Sequence, residues 1–277
     1  MTEPTQAQFF GTPAARIEPG HTLMSPAGSP VTVVSVDWEH DDFGNQAIAV
    51  VSYDGGTLRI SAAAAVQVAG AQTIPAVEGT PEAVTAAAAA AHGGHETIQR
   101  LAARLAGGLN TKSGAQLRDV SQLARVLFVQ LGDAAHALSV AHLVTELPYD
   151  GNPGRWTPVE QCLAIAHYVA VISGNEAEAD RTSARLRAPD DTETDPFRAK
   201  MAAVVRQRSL NEPNLYDKEI TRSAAAGDKR AELDWRALRL ETLLRLLAHG
   251  GSETFDAGEL QRRISNELAE LRNPAAG

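Results

Sequence analysis

The chain has 277 residues, of which 44% are hydrophobic and 21% are charged, and its formal net charge is −9. These values are ordinary for a soluble globular protein with room for two modest domains. Cys162 is the only cysteine, which excludes an intrachain disulfide and a thiolate zinc cluster.

No apolar run approaches the roughly 20 residues that span a bilayer. The N-terminus lacks the basic start and apolar core of a signal peptide. We therefore expect a cytoplasmic protein with no membrane partner. Residues 1–70 carry a net charge of −5, and such a segment repels phosphate, so nucleic acid is not an expected partner either. Abundant alanine and a preference for arginine over lysine are typical of a GC-rich bacterial genome.

Residues 1–16 are expected to be a flexible N-terminus, and residues 17–70 have the pattern of β-structure. Short β-branched runs alternate here with turn residues: VTVVSVDW (31–38), QAIAVVSY (46–53), TLRIS (57–61) and VQV (66–68). Such short strands favour a small SH3-like β-barrel, because curling the sheet hides its edges. In strand length and turn placement this part resembles the small barrels of Tudor and KOW type. It has no evident aromatic cage, so their ligands are not carried over.

Residues 71–94 form an alanine-rich linker or helix. Thr80-Pro81 is a typical helix start and predicts a helix over 81–91. Because that helix has few large apolar side chains, we interpret it as a spacer. His92-Gly93-Gly94-His95 has the residue types of a metal site, but Gln99 replaces the second histidine of HEXXH. We interpret these histidines as part of a flexible linker.

Residues 95–273 have a helical pattern throughout. Two amphipathic segments, 119–131 and 134–147, are separated only by Gly132-Asp133, which predicts an antiparallel helical hairpin. The same unit recurs around Gly174-Asn175 and Gly227-Asp228. The sequence therefore predicts stacked helix pairs with connections of variable length.

This recurring unit resembles the tetratricopeptide repeat over roughly residues 95–250. The shared feature is an alanine five residues past the turn glycine, as in Gly132 with Ala137 and Gly174 with Ala179. The third unit has Glu232 at that position, and the 34-residue repeat length is not kept. The predicted fold is thus α+β and multidomain, with a small SH3-like β-barrel followed by an all-α, TPR-like helical-hairpin domain.

Helix starts are also predicted elsewhere. Asp195-Pro196 and the capping box of Asp256 with Glu259 begin two later helices. Thr157-Pro158-Val159-Glu160 has the same spacing and predicts that a helix starts at Pro158, which leaves residues 148–156 as a connector. A basic helix side is interpreted as a solvated face, with the residues Arg198, Lys200, Arg206 and Arg208.

Four residues are candidates for partner binding. Trp156 in the connector either packs against a neighbouring helix or, with Arg155, anchors a partner. His142 and His167, like His136, lie among apolar helical neighbours. They are either satisfied core or groove histidines or, with Glu146 nearby, part of an acid/base site.

No other pattern points to a defined chemistry. The acidic loop Asp37–Asp42 lacks the spacing of a calcium loop and is interpreted as solvated. Phosphate-binding, dinucleotide-binding, hydrolase and CxxC motifs do not occur. We therefore predict no catalytic, cofactor or metal residue. The leading hypothesis is a non-enzymatic scaffold that binds another protein or itself through a helical groove. The alternative is an enzyme without a standard motif, with a pocket of His142, Glu146, His167 and Arg155.

Overall fold

A computed structural model shows an antiparallel sheet near the N-terminus followed by a helical part. The structure describes residues 9–14, 17, 19–26, 28–41, 44, 46–62, 64–69, 79–191, 194–201, 204, 215–252 and 254–272. The sheet and the helices have separate hydrophobic cores. The predicted combination of a small β part and a larger α-helical part is therefore confirmed.

The sheet has six strands in the order β1-β6-β2-β3-β4-β5. The strands are β1 Phe9–Pro13, β2 Thr22–Met24, β3 Pro30–His40, β4 Gln46–Tyr53, β5 Gly56–Ser61 and β6 Ala65–Ala69. The long β3 pairs with β2 through its first residues and with β4 through the rest, and its register shifts between Val33 and Ser35. Such an irregularity bends a strand, so β3 belongs to both halves of the sheet.

The prediction of a closed barrel is wrong. The sheet is open, with β1 and β5 as its edges. All four predicted runs are strands, but the sequence pattern missed β1, inside the expected flexible N-terminus, and β2. The missed strands are short, and FFGTP in β1 contains a glycine and a proline, which strands generally avoid. A tight turn at Asp54-Gly55 joins β4 to β5, and Tyr53 pairs with Gly56 across it.

The helical part contains eleven helices among the described residues. They are α1 Pro81–Ala91, α2 Glu96–Leu105, α3 Gly114–Arg125, α4 Ala134–Thr145, α5 Pro153–Ile172, α6 Glu176–Leu186, α7 Ala188–Asp191, α8 at 196–201, α9 Asp217–Ala225, α10 Lys229–Ala248 and α11 Ala257–Arg272. A π-helical turn, Val126–Gln130, continues α3.

Helix α1 has the predicted bounds but is not a spacer. Thr80 caps it, with its hydroxyl oxygen accepting from the N–H of Ala83. Val84, Thr85 and Ala88 are buried, and α1 packs against α2 and α4. Small side chains allow helices to approach closely, so an alanine-rich helix can join a core without large apolar groups. Residues 71–78 of the predicted linker lie outside the described part of the chain.

The three predicted hairpin turns share one backbone geometry. Gly132, Gly174 and Gly227 have φ values of 68°, 69° and 69°, in the left-handed region that glycine adopts without strain. The second and third turns are closed by the same backbone hydrogen bond, which spans five residues. The N–H of Asn175 donates to the carbonyl of Ala170, and the N–H of Asp228 donates to the carbonyl of Ser223. In the first turn the bond from Asp133 reaches Leu127, one residue further back, because the π turn inserts an extra residue.

The helices enclose one continuous core that runs from Val84 to Leu268. From α1 to α7, and again from α9 to α11, each helix packs on the next; α3 also packs on α5, and α5 on α10. Helix α11 returns to the π turn, where Arg272 donates to the carbonyls of Phe128 and Val129. The C-terminal helix therefore closes the stack onto its first hairpin. Cys162 lies fully inside this core, and burial raises the pKa of its thiol, as predicted for an inert cysteine.

Helix α5 begins five residues earlier than the sequence predicts. Asn152 is its N-cap, and the side-chain oxygen of Asn152 accepts from the N–H groups of Gly154 and Arg155. Thr157 instead donates its hydroxyl to the carbonyl of Pro153, so Pro158 lies within the helix. The sequence has two proline start signals, Pro153 and Pro158, each with a capping residue before it. The helix starts at Pro153, with Asn152 and not Thr157 as its cap.

Replacing the true cap should therefore cost more than replacing the predicted one. We expect Asn152→Ala to lower the free energy of unfolding by about 1 kcal/mol, because two first-turn N–H groups lose their acceptor. Thr157→Ala should cost less than about 0.5 kcal/mol. Urea denaturation of both variants measures the difference, and a larger loss for Thr157→Ala would place the helix start where the sequence pattern had it.

No helix within the described ranges has both the length and the apolarity to cross a membrane.

Candidate functional site

Arg155 and Trp156, the predicted anchor pair, lie in the first turn of α5. The Trp156 side chain is buried, at 5% exposure, and its ring packs edge-to-face on Tyr149 with centroids 5.5 Å apart. Arg155 pairs with Asp150 and donates to the carbonyl of Thr111 at 2.8 Å. Both side chains thus hold the start of α5 against its neighbours, which favours the packed alternative for Trp156 over the exposed anchor.

His142 of α4 contacts the start of α6. Its Nε2 lies 3.2 Å from a carboxylate oxygen of Glu178, and Arg181 donates two further hydrogen bonds to the same carboxylate. Burial lowers the pKa of His142, and the proximity of Glu178 only partly opposes this effect. The Arg181 guanidinium already neutralises Glu178, so the carboxylate is poorly suited to activate the imidazole as a base.

His167 of α5 is buried and is bound by the backbone of α6. Its Nδ1 lies 3.0 Å from the carbonyl oxygen of Ala179 and 3.4 Å from the hydroxyl of Thr182. Burial lowers its pKa and favours the neutral ring. These are the contacts of a core histidine that fixes one helix on the next.

The structure does not assemble the predicted acid/base pocket. His142 and His167 contact adjacent residues of α6, but Glu146 pairs instead with Arg181 and Arg185. Arg155 contacts Thr111 and Asp150. Each of the four groups therefore has its own structural partner, and none of their hydrogen bonds joins one to another.

A polar cleft lies between the sheet and the last two helices. Its volume is about 540 Å³, and its lining includes His40, Gln46, Arg236, Arg239, Glu267 and Arg272. Arg236 pairs with Glu232 and Glu267, and Arg239 pairs with Glu267. Both arginines are thus already paired with carboxylates of the protein. We therefore interpret the lining of the cleft as a network of ion pairs that joins α10 to α11.

Helix α8 displays an apolar stripe to solvent. Phe197 and Met201 lie four positions apart on α8, and Val204, which is also helical, follows three positions later. Their side chains are 72%, 43% and 45% exposed. Asp195 caps the helix, as predicted, with its side-chain oxygen accepting from the N–H groups of Phe197 and Arg198. The sequence analysis considered only the basic side of this helix, although the same spacing could have revealed the apolar one. Arg206 and Arg208 lie outside the described residues.

Sequence reasoning also missed a cluster of His92, Asp133 and His136. One ligand atom from each side chain lies within 4.8 Å of the others. His92 was interpreted as part of a flexible linker, but its ring contacts Asp133 of the first hairpin turn. Asp133 and His136 are three positions apart, but His92 lies 41 positions before Asp133, so no local motif contains all three.

These features define a helical protein with a small antiparallel sheet and an exposed apolar helix face. The chain belongs to the family of unknown function DUF6707, whose model matches residues 1–273. Neither the curated proteins nor the solved structures contain a match to the chain.

Proposed function

We propose that the chain is a non-enzymatic binding protein that docks another protein through the apolar face of α8. The observation that carries this proposal is the exposure of Phe197 and Met201, one turn apart on α8, and of Val204 at the next position of the same helical spacing. Single exposed apolar side chains are normal on protein surfaces, whereas a contiguous stripe is typical of an interface.

Burial of this face against a partner would contribute favourable free energy. Full burial of an exposed Phe, Met or Val side chain contributes about 1.5–3 kcal/mol, and the contribution of Met201 and Val204 is smaller because they are 43% and 45% exposed. Anchors at i, i+4 and i+7 are the pattern by which an amphipathic helix inserts into a groove of its partner. Arg198 and Lys200 belong to the same helix, so the complementary partner surface is an apolar groove with carboxylates at its rim.

The rest of the helical part has the arrangement of a scaffold. The three glycine turns share one conformation, which supports the interpretation of the hairpins as TPR-like repeats. Stacks of such hairpins present surfaces to protein partners without catalytic groups. The structural contacts of His142, His167 and Arg155 fit this proposal better than the enzyme alternative, because each group is engaged within the fold.

Photo-crosslinking in the native cell tests the proposal. A photoreactive amino acid at position 197 should give a discrete adduct with one other protein, and the same residue at position 201 should give the same adduct. Leu238, which is 44% exposed on α10, is the matched control and should give none. Equal adducts from 197 and 238, or no adduct from 197, would refute docking through α8. An adduct of twice the mass of the chain would identify self-assembly instead.

A further inference from the structure

The cluster of His92, Asp133 and His136 brings together donors from two separate segments. His92 follows the last residue of α1, Asp133 is the N-cap of α4, and His136 lies in the first turn of α4. Asp133 Oδ2 is 2.7 Å from His92 Nε2 and 2.8 Å from His136 Nδ1. The side chains are 19–23% exposed, so a small ion can reach them from solvent while the surrounding protein fixes their positions.

Asp133 has one carboxylate oxygen more than its capping role requires. Oδ1 caps α4 by accepting from the N–H of His136 at 3.0 Å. Asn175 and Asp228 cap their helices at the equivalent turns with a single side-chain oxygen. The second oxygen of Asp133 is therefore the one that serves the two imidazoles.

One carboxylate oxygen and two imidazole nitrogens form a donor set that suits zinc and related divalent transition metals.

We propose that His92 Nε2, Asp133 Oδ2 and His136 Nδ1 bind one divalent transition-metal ion of the Zn²⁺ class. Three protein ligands leave a tetrahedral ion one further position for water. The site is independent of the docking face on α8 and does not rest on the function proposed above.

Only small movements convert the hydrogen-bonded trio into a coordination sphere. Metal–ligand distances near 2.0–2.1 Å in a tetrahedron place the ligand atoms roughly 3.4 Å apart, compared with 2.7 and 2.8 Å between the paired atoms now. Gly93 and Gly94 follow His92, and a Cβ at either would meet no atom within 4 Å, so this turn has room to adjust. When a metal binds, each imidazole gives up its hydrogen bond to Asp133 Oδ2 and presents the lone pair of that ring nitrogen to the metal, with its proton on the other ring nitrogen.

Isothermal titration of the full chain with Zn²⁺ tests the site, with protein that carries no polyhistidine tag and has been dialysed against a chelator. We expect one Zn²⁺ per chain for the wild type. Asp133→Asn should weaken binding at least about tenfold, and it should keep the cap of α4, because Asn175 performs that role at the next turn. His92→Ala, which leaves α4 unchanged, should weaken binding to a similar degree.

His95→Ala is the control, because His95 is the histidine nearest to His92 in sequence and is not part of the cluster of His92, Asp133 and His136. It should bind Zn²⁺ as the wild type does, and circular dichroism of each variant should show the same helix content. A wild-type chain that gives no binding heat and takes up no Zn²⁺ in equilibrium dialysis would overturn the proposal. So would unchanged affinity in Asp133→Asn and His92→Ala, or an equal loss in His95→Ala.

Discussion

Replacing Tyr168 with alanine is expected to lower the free energy of unfolding of the helical part by about 3–5 kcal/mol. Tyr168 is fully buried in α5, and its ring packs edge-to-face on Phe128 of the π turn, with centroids 5.7 Å apart. Its hydroxyl oxygen accepts from the side-chain amide of Gln261 in α11 at 3.0 Å. The side chain therefore connects three elements, and alanine would leave a cavity among them.

Tyr168→Phe separates packing from hydrogen bonding at this position. It keeps the ring and loses the bond to Gln261, so we expect a cost of only about 1–2 kcal/mol. Guanidinium denaturation followed by the helical circular dichroism signal measures both variants. If Tyr168→Ala cost no more than Tyr168→Phe, the ring would not be the junction of α5, α11 and the π turn.

Removing the carboxylate of Glu267 is the second large effect, and we expect Glu267→Ala to cost about 3 kcal/mol. The Glu267 side chain is 6% exposed and lies 2.5 Å from Arg239 and 3.5 Å from Arg236. Burial raises its pKa in spite of these two arginines. The loss comes from the guanidinium groups, which stay largely buried and keep fewer anionic partners.

Glu270→Ala is the control for this prediction, because it lies on the same helix and pairs with Arg236 at 3.9 Å but is 44% exposed. An exposed, long pair of this kind contributes less than about 1 kcal/mol. Denaturation curves for the two alanine variants should therefore differ by about 2 kcal/mol in unfolding free energy. Equal costs would show that the Glu267 pairs add nothing to the joint between α10 and α11.

Local signals were sufficient to predict most of the helices. The predicted caps at Thr80, Asp195 and Asp256 each accept from first-turn N–H groups in the structure. Caps are predictable because the interaction is local: the side-chain oxygen of the capping residue reaches only the N–H groups of the first helical turn. Where two start signals lay five residues apart, as at Pro153 and Pro158, local rules could not choose between them.

Features that depend on packing were not predictable from the sequence. The burial of α1 depends on the surfaces of α2 and α4, which periodicity does not describe. The pairing of β1 with β6 joins Phe9 to Ala69, which are the two ends of the β segment in the sequence. Glu232 occupies the position of Ala137 and Ala179 in the other hairpins and is buried, because Arg236 lies one helical turn away to neutralise it.

The candidate sites also divide into features that local sequence predicts and features that depend on packing between elements. His142 and His167 could be placed on helices from the sequence, but their partners, Glu178 and Ala179, lie on α6. The cluster of His92, Asp133 and His136 forms only when the first hairpin turn meets the end of α1. In contrast, the apolar stripe of α8 is local, and its spacing is visible in the sequence alone.

The affinity of the chain for the protein crosslinked at position 197 is the most direct test of the docking function. Titration calorimetry should show binding to the wild type and at least about thirtyfold weaker binding to Phe197→Asp, the loss typical of an interface hot spot. Leu238→Asp places the same charge on another exposed apolar position and should leave the affinity unchanged. If Phe197→Asp bound as tightly as the wild type, the apolar face of α8 would not be where the partner docks.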